Sequence, residues 1–307
     1  MISSKTMLTL LNLPGYGKKT VRAALAFLDT ELTTPRQVAE FTQTVAAGVK
    51  RAKEHTEAAA IEALSLADRA LSDSATAGVA VIGWGSNDYP DRLKNIQDPP
   101  LVLFVKGDLE NLSPEISVAL IGTRKPSEFG RKSAYRIGKH LAEAGISVVS
   151  GLALGCDAEG HFGCLAAHGK AIAVLAHGLD KVSPAAHRDL ADNIVTKGWV
   201  IVSEYALGVV ARKNHFVERD RLQSGLSDAV IVAETGLKGG TMHTVRFCEE
   251  QNRKLACIQH PEKFLGSEFS AGNQALIKNK KAKPLADSED LERFLNSLSC
   301  DSRINSI

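Results

Sequence analysis

The chain has 307 residues, 44% hydrophobic and 23% charged, so it can bury a sizeable core and is long enough for two domains. Its net charge is only +2, which excludes a general polycation and confines any nucleic-acid site to a local basic patch. No apolar run of about 18 residues predicts a membrane span, and five scattered cysteines favour a reducing cytoplasm over a disulfide framework.

Residues 1–75 are predicted to form a helical domain, because they are rich in Ala, Leu, Thr and Glu and contain few strand-like runs. Residues 8–21 combine two helical stretches with the glycine-containing turn Pro14-Gly15-Tyr16-Gly17. The pattern is typical of a SAM-like or helix-hairpin-helix domain, whose hairpin offers backbone N–H groups to a DNA phosphate. An ordinary corner between two helices fits the same residues, and both interpretations stay open.

Residues 76–284 are predicted to form an α/β domain. After a connector with turn signals, apolar strands alternate with amphipathic helices. The alternation predicts a Rossmann-like, mostly parallel, doubly wound sheet. The expected strands are 117–121, 146–149, 171–176, 199–202, 229–233 and 254–258, and the clearest helices are 128–144, 158–168 and 241–252. Residues 285–307 are predicted to be a short C-terminal tail with one small helix near 288–298 and no winged helix.

Ligands of such sheets bind at the carboxyl ends of the strands. Glycines there let a phosphate approach the backbone amides, a following helix adds partial positive charge, and Lys or Arg neutralises the phosphate. Several loops of this kind at one edge predict phosphate binding, although glycines in single turns are also common for packing alone. The candidate binding residues are Gly122, Thr123, Arg124, Gly151, Lys181, Lys238, Gly239, Gly240 and Thr241.

Bound cofactors and metals are not expected. The first strand is not followed by Gly-x-Gly-x-x-Gly, and neither a Walker A sequence nor a Gly-x-Ser-x-Gly elbow occurs. Asp157, His161, Cys164 and His168 share one predicted helix face, but four ligands over three turns cannot close around one ion. We interpret Asp157 as a helix N-cap and the others as a face packed on the sheet.

Two basic runs add to the candidate binding surface. Residues 211–221 and 278–283 both have the spacing to follow a nucleic-acid backbone, and Phe216 or Tyr205 has a ring that can stack on a base. A solvated surface, or a helix C-terminus that favours cations, explains the second run better.

Six segments, in this order, resemble the DNA-processing protein A family, also called DprA or Smf. The resemblance extends from about residue 5 to residue 262, and several long motifs in one order are far more specific than a single glycine-rich turn. The segments are Tyr89–Asp108, Val118–Arg131, Ser150–His161, Ala173–Pro184, Phe216–Ala229 and Lys238–Thr244.

The resemblance implies a function in DNA processing. Members of the family bind single-stranded DNA, hand it to the RecA recombinase, notably in natural transformation of competent cells, and self-associate; they are not known as enzymes. Their DNA lies in a basic pocket that corresponds to Gly122, Thr123, Arg124 and Lys181. We therefore expect a cytoplasmic, dimeric, non-enzymatic protein that binds DNA without a cofactor.

The chain departs from the family pattern in places. Asp220 replaces the usual Asn, and His260-Pro261 replaces Pro-Gly, which leaves a specialised role in plasmid or phage biology open. An enzymatic alternative also remains, because residues 239–241 together with Glu234 and Glu249 resemble phosphoribohydrolases that cleave the N-glycosidic bond of a nucleotide.

Overall fold

The computed structural model describes residues 2–304, with side chains up to residue 298. The N-terminal region is helical, as predicted, and two residues separate the end of α4 from the first strand. Its helices are α1 (Ser4–Asn12), α2 (Lys18–Ala24), α3 (Pro35–Gly48) and α4 (Glu57–Thr76). Side-chain caps explain where three of them begin: Ser3, Thr34 and Thr56 each accept a hydrogen bond from a first-turn backbone N–H.

The rest of the described chain alternates strands and helices. The strands are β1 (Val79–Gly83), β2 (Val102–Lys106), β3 (Ser117–Ile121), β4 (Ser147–Ser150), β5 (Ala171–Leu175), β6 (Val200–Ser203), β7 (Ala229–Val232), β8 (Lys254–Ile258) and β9 (Lys283–Leu285). The helices are α5 (Asp91–Lys94), α6 (Glu128–Glu143), α7 (Cys156–Ala166), α8 (Arg188–Thr196), α9 (Lys213–Gly225), α10 (Thr241–Glu250), α11 (Ala271–Lys278) and α12 (Ser288–Ile304).

The strands form one nine-stranded sheet in the order β1-β2-β6-β5-β4-β3-β7-β8-β9. Pairing is parallel from β6 to β9, and the β1 and β2 edge is antiparallel. The predicted mostly parallel α/β sheet is confirmed. Strands β4, β5 and β6 follow one another on one side of β3, whereas β7, β8 and β9 lie on its other side. The gap between β3 and β7 is therefore a topological switch point, where open sheets place their ligands.

Both faces of the sheet are covered. Val118 and Leu120 of β3 belong to one buried core with α6, α7, α8 and α12, whereas Ala119 and Ile121 belong to a second core with α5, α9, α10 and α11. This alternation follows from the period of two in a strand. Helices α1–α4 contribute to the first core, so they share it with the sheet.

The helix predicted near 288–298 is present as α12 and extends further, to Ile304. Strand β9 pairs with β8, and α12 buries four apolar side chains, namely Leu291, Phe294, Leu295 and Leu298. Their spacing of three and four residues places them on one helix face. In the part of the chain that the structure describes, no helix is long and apolar enough to cross a membrane.

Candidate functional site

A cavity of about 430 Å³ opens at the switch point between β3 and β7. It is bounded by the loops that follow these strands, by the first turns of α7 and α10, and by α9. The residues that line it are Ile121, Gly122, Thr123, Arg124, Ala153, Asp157, Lys213, Phe216, Val217, Arg219, Asp220, Gln223, Thr235, Gly236, Lys238, Gly239, Gly240, Thr241, His243 and Thr244. Seven of the nine residues predicted from the sequence are in this set.

The turn after β3 is held by backbone hydrogen bonds. Thr123 N–H donates to Glu234 O at 2.8 Å, and Cys156 N–H donates to Thr123 O at 3.2 Å. A Cβ at Gly122 would lie 2.5 Å from Cys156 Sγ and 2.9 Å from Glu234 O. Gly122 is therefore needed for close packing of the turn. It also lines the cavity, and its contact with a phosphate stays a prediction.

Arg124 is the exposed cation of this turn. Its guanidinium carbon lies 4.9 Å from the ring centroid of Phe216, within the range of a cation–π contact. No ion pair joins Arg124 to an acidic side chain among the described residues. The cavity thus has one wall made of an aromatic ring and a guanidinium group that is free to meet an anion.

The glycine segment before α10 forms a second wall. Gly239 has a φ of +148°, in the region that favours glycine, and nothing lies within 4 Å of a Cβ built at Gly239 or Gly240. Helix α10 starts at Thr241 with neither a side-chain cap nor an acidic residue in its first turn. Its N-terminus and the exposed Lys238 therefore present positive potential to the cavity.

Two of the predicted residues lie outside the cavity. A Cβ at Gly151 would come 1.8 Å from Arg219 Nη1, and Gly151 N–H donates to Asp157 Oδ2 at 3.1 Å. Gly151 accordingly packs against Arg219 and Asp157, beneath the base of the cavity. Lys181 is exposed on the loop after β5, two strands away from β3.

The floor contains polar residues that the sequence prediction missed or assigned differently. Asp157 and Asp220 are buried there beside Arg219, whose Nε lies 3.2 Å from Asp220 Oδ1 and whose Nη1 donates to Val174 O at 2.8 Å. The prediction that Asp157 caps a helix is wrong, because the N-cap of α7 is Gly155, with a φ of +80°. Nothing in the local sequence of α7 signals the contact with Arg219.

Burial dominates the ionisation of the two floor acids. It raises the pKa of Asp220 to about 7, although Arg219 acts in the opposite direction, and the nearby Asp157 raises it further. Burial also raises the pKa of Asp157, despite the opposing effect of Arg219 and of backbone hydrogen bonds. The floor is consequently an acidic surface that binds protons readily.

Two of the three arginines in the run 211–221 point into the protein and cannot contact the phosphates of a bound strand. The side chains of Arg219 and Arg221 are each only 5% exposed, and Arg221 pairs with Glu204. Arg212 and Lys213 remain exposed, and Lys213 lines the cavity. Of this run, Lys213 and Phe216 are therefore the residues available to a ligand.

The four residues weighed as metal ligands serve other contacts. His161 is buried, which lowers its pKa to about 3, and Cys164 donates to Lys170 O at 3.3 Å. His168 lies beyond the end of α7 with a φ of +55°. The described residues contain no group of three or more His, Cys, Asp or Glu placed to hold a metal.

Glu234 is not among the residues that line the cavity. Its side chain is 1% exposed and accepts hydrogen bonds from Ser127 N (2.6 Å), Ser127 Oγ (2.7 Å) and His260 Nε2 (3.0 Å). A carboxylate occupied in this way has no route to a sugar. This geometry counts against Glu234 as the acid or base of a phosphoribohydrolase-like reaction.

The predicted hairpin joins α1 to α2, but its first cation is already paired. Lys18 Nζ lies 2.5 Å from Glu204 Oε1 and 2.7 Å from Glu218 Oε2. These contacts connect α2 to β6 and α9. The interpretation of residues 8–21 as a corner between packed helices therefore has the stronger support.

Fold and cavity together define a Rossmann-like protein with a ligand crevice at the switch point of its sheet. The chain belongs to the DNA recombination-mediator protein A family, whose model matches residues 80–296. It is 34% identical over 225 residues to the DNA processing protein DprA of Bacillus subtilis, covering 73% of each chain. It is 36% identical over 193 residues to protein Smf of Escherichia coli, covering 63% of this chain and 50% of that protein.

Solved structures show the same relationship. The DNA processing protein A of Streptococcus pneumoniae superposes with a TM-score of 0.78 at 27% identity, covering 95% of this chain and 97% of that one. The protein from Helicobacter pylori, whose structure addresses a unique single-stranded DNA binding mode, gives a TM-score of 0.64 at 27% identity, covering 73% of this chain and 96% of that one.

Proposed function

We propose that this protein binds single-stranded DNA through its phosphate backbone, with the cavity between β3 and β7 as the primary site. The observation that carries the proposal is the convergence of Arg124, Lys213 and Lys238 with the N-terminus of α10 around one open cavity. Each is a cation or a backbone donor that stabilises a phosphate. The Helicobacter pylori relative supports the choice of single-stranded DNA as the ligand.

The shape of the site favours a single strand over a duplex. A concave cavity admits one backbone with its bases unstacked, and the ring of Phe216 gives such a base a stacking surface. Phosphate contacts are independent of sequence, so they account for general binding of single strands.

Salt-dependent fluorescence anisotropy tests this proposal. Arg124→Ala and Lys238→Ala should each weaken binding of a (dT)20 oligonucleotide by about 3- to 10-fold and reduce the slope of log affinity against log salt by about 0.7. Lys170→Ala is the matched control, because Lys170 is an exposed lysine that precedes β5 at the opposite edge of the sheet. Unchanged affinity in both cavity variants would refute the site.

The cellular role is a finer proposal that rests on family membership alone. In it, the protein acts in the cytoplasm as a homodimer without catalytic activity and promotes loading of a RecA-type recombinase onto the bound strand, as in natural transformation. Light scattering tests the dimer. Assembly of a RecA-type filament on protein-coated single strands tests the loading, and an unchanged assembly rate would refute it.

A further inference from the structure

Helix α9 has two faces that contact different parts of the molecule. Lys213 and Phe216, near its start, line the cavity. Asn214 and Glu218 are four residues apart on another face, where Asn214 Nδ2 donates to Glu218 Oε1 at 3.3 Å. Tyr205 Oη donates to the second oxygen of the same carboxylate at 3.0 Å. The face that carries Glu218 therefore attaches α9 to the loop after β6.

Polar contacts hold the first half of α9 in place. Of residues 213–218 only His215 is buried, and no side chain in the described part of the molecule caps the first turn. The ring of His215 stacks on Tyr205, with centroids 4.2 Å apart. Residues 219–225 are all buried, so burial fixes the second half of the helix. The first half, which carries two cavity residues, depends instead on the contacts made by His215 and Glu218.

One of the contacts to Glu218 comes from the N-terminal helices. Lys18 Nζ, at the start of α2, lies 2.7 Å from Glu218 Oε2 and 2.5 Å from Glu204 Oε1. Burial alone would raise the pKa of Glu218, but the hydrogen bond and the charge of Lys18 outweigh it and hold the pKa below its ordinary value. Without Lys18, the two carboxylates would repel each other, and Glu218 would move away from β6.

Helix α2 is a fixed support for this contact. Arg22, one turn beyond Lys18, pairs with Asp98 at 2.8 Å, and Val21 is fully buried in the core that the N-terminal helices share with the sheet. The position of α2 is thus maintained independently of Lys18. Loss of the Lys18 charge should therefore release α9 and not α2.

Movement of the first half of α9 would change the cavity. Phe216 would lose its place 4.9 Å from the guanidinium carbon of Arg124, and Lys213 would move with it. Both residues come from the part of the helix that Glu218 holds.

We propose that Lys18 is a positioning residue for the DNA site: through Glu218 it holds the first half of α9, and with it Lys213 and Phe216, against the cavity. The inference rests on the proposed function. It makes the N-terminal helices necessary for full affinity without a contact between Lys18 and the DNA.

Fluorescence anisotropy with (dT)20 tests the inference. Lys18→Met should weaken binding about 3- to 10-fold. The slope of log affinity against log salt should stay at its wild-type value, because Lys18 pairs with two carboxylates and not with a phosphate. Lys18→Arg keeps the charge and should restore the affinity. Lys19→Met is the matched control, since Lys19 is the exposed neighbour of Lys18 on α2, and it should bind as the wild type does.

A double-mutant cycle separates positioning from general destabilisation. In a protein that already carries Lys213→Ala and Phe216→Ala, Lys18→Met should have almost no further effect, because the residues that it positions are gone. In the Lys238→Ala protein the full 3- to 10-fold loss should remain, since Lys238 lies on the loop before α10. A general loss of structure would weaken binding equally in both backgrounds and would overturn the inference.

The remaining outcomes are equally distinct. Wild-type affinity of Lys18→Met would overturn the positioning role, and a loss of affinity with a reduced salt slope would show that Lys18 contacts the DNA directly. If Lys18→Met fails to fold, Glu218→Gln replaces it in the same cycle and should weaken binding about 3-fold only where Lys213 and Phe216 are intact. No measurable binding of any oligonucleotide by the wild type would overturn the proposed function itself.

Discussion

Glu234 Oε1 and His260 Nε2 lie 3.0 Å apart in the interior and connect the end of β7 to the segment after β8. Burial alone would raise the pKa of Glu234, but the hydrogen bonds from His260 and Ser127 outweigh it and hold the pKa below its ordinary value. Because Glu234 also receives the Thr123 N–H at its carbonyl, the pair supports the turn that carries Arg124.

Glu234→Gln should lower the free energy of unfolding by about 1–3 kcal/mol, because buried donors on Ser127 and His260 lose a charged acceptor. It should also weaken oligonucleotide binding through displacement of the turn. Urea denaturation and anisotropy measure the two effects. Glu249→Gln, which alters a surface pair with Lys281, should change neither. Unaltered stability of Glu234→Gln would contradict the supporting role of the pair.

Gly239 and Gly240 provide a matched comparison in the α10 loop. Gly239→Ala places a Cβ at a φ of +148° and should cost about 1–3 kcal/mol or shift the loop, which moves Lys238 away from its position and weakens DNA binding. Gly240→Ala, at a φ of −59°, should be tolerated. Thermal melting and anisotropy of both variants test this difference, and equal affinities would show that the loop geometry is irrelevant to binding.

Lys181 should contribute only when the DNA is long enough to reach it. Two strand spacings separate β3 from β5, so the Lys181 loop lies about 10 Å further along the edge than the turn after β3. Lys181→Ala should leave binding of (dT)4 unchanged and weaken binding of (dT)20 by about 3- to 10-fold. An effect of the same size on both lengths would place Lys181 at the cavity, and no effect on either would remove it from the path of the DNA.

The raised pKa of Asp220, about 7, predicts a pH-dependent stability. The folded protein holds this proton at pH values where the unfolded chain has released it. The stabilising contribution is therefore complete below pH 4 and is lost as the pH rises through 7. Between pH 5 and pH 8 the wild type should lose up to about 3 kcal/mol that Asp220→Asn retains. Urea midpoints at both pH values test this, and parallel profiles of the two proteins would count against the assignment.

Substitution of Glu204 should lower the free energy of unfolding more than substitution of an exposed acidic residue. Its side chain is 2% exposed and pairs with Lys18 and with Arg221, which is itself 5% exposed. Glu204→Gln leaves the buried Arg221 with only the more distant Asp98 carboxylate, at 3.5 Å, as counter-charge and should cost about 3 kcal/mol. Glu40→Gln breaks only an exposed pair with Arg36 and should cost about 0.3–0.5 kcal/mol. Denaturant unfolding of both variants tests the contrast.

The sheet could be predicted from the sequence because each strand is marked by a local run of apolar residues. The apolar runs at β3, β5, β7 and β8 are short, continuous and separated by amphipathic helices, so both the type of sheet and its ligand edge followed from pattern alone. The same argument placed Arg124 and residues 238–241 at that edge, where the structure has them lining one cavity.

The floor of the cavity could not be predicted because it depends on contacts between distant segments. Gly151 and Arg219 are 68 residues apart in sequence, yet the Arg219 side chain occupies the space beside Gly151. A basic run in the sequence does not reveal that Arg219 and Arg221 turn inwards. Strand β9 was not predicted for a related reason: a three-residue strand can be recognised only when it pairs with β8.

Helices α1–α4 and the sheet share one hydrophobic core, so mechanical force and truncation at the N-terminus both act on the whole fold. Ser4 Oγ of α1 also donates a hydrogen bond to Val81 O of β1 at 3.0 Å. The N-terminal helices are therefore packed rigidly on the sheet and do not form a separately moving domain. A fragment beginning at β1 would uncover Val79, Val102 and Phe104 and would tend to aggregate. The protein should therefore melt as one cooperative unit, and pulling on a bound strand would be resisted by the whole fold together.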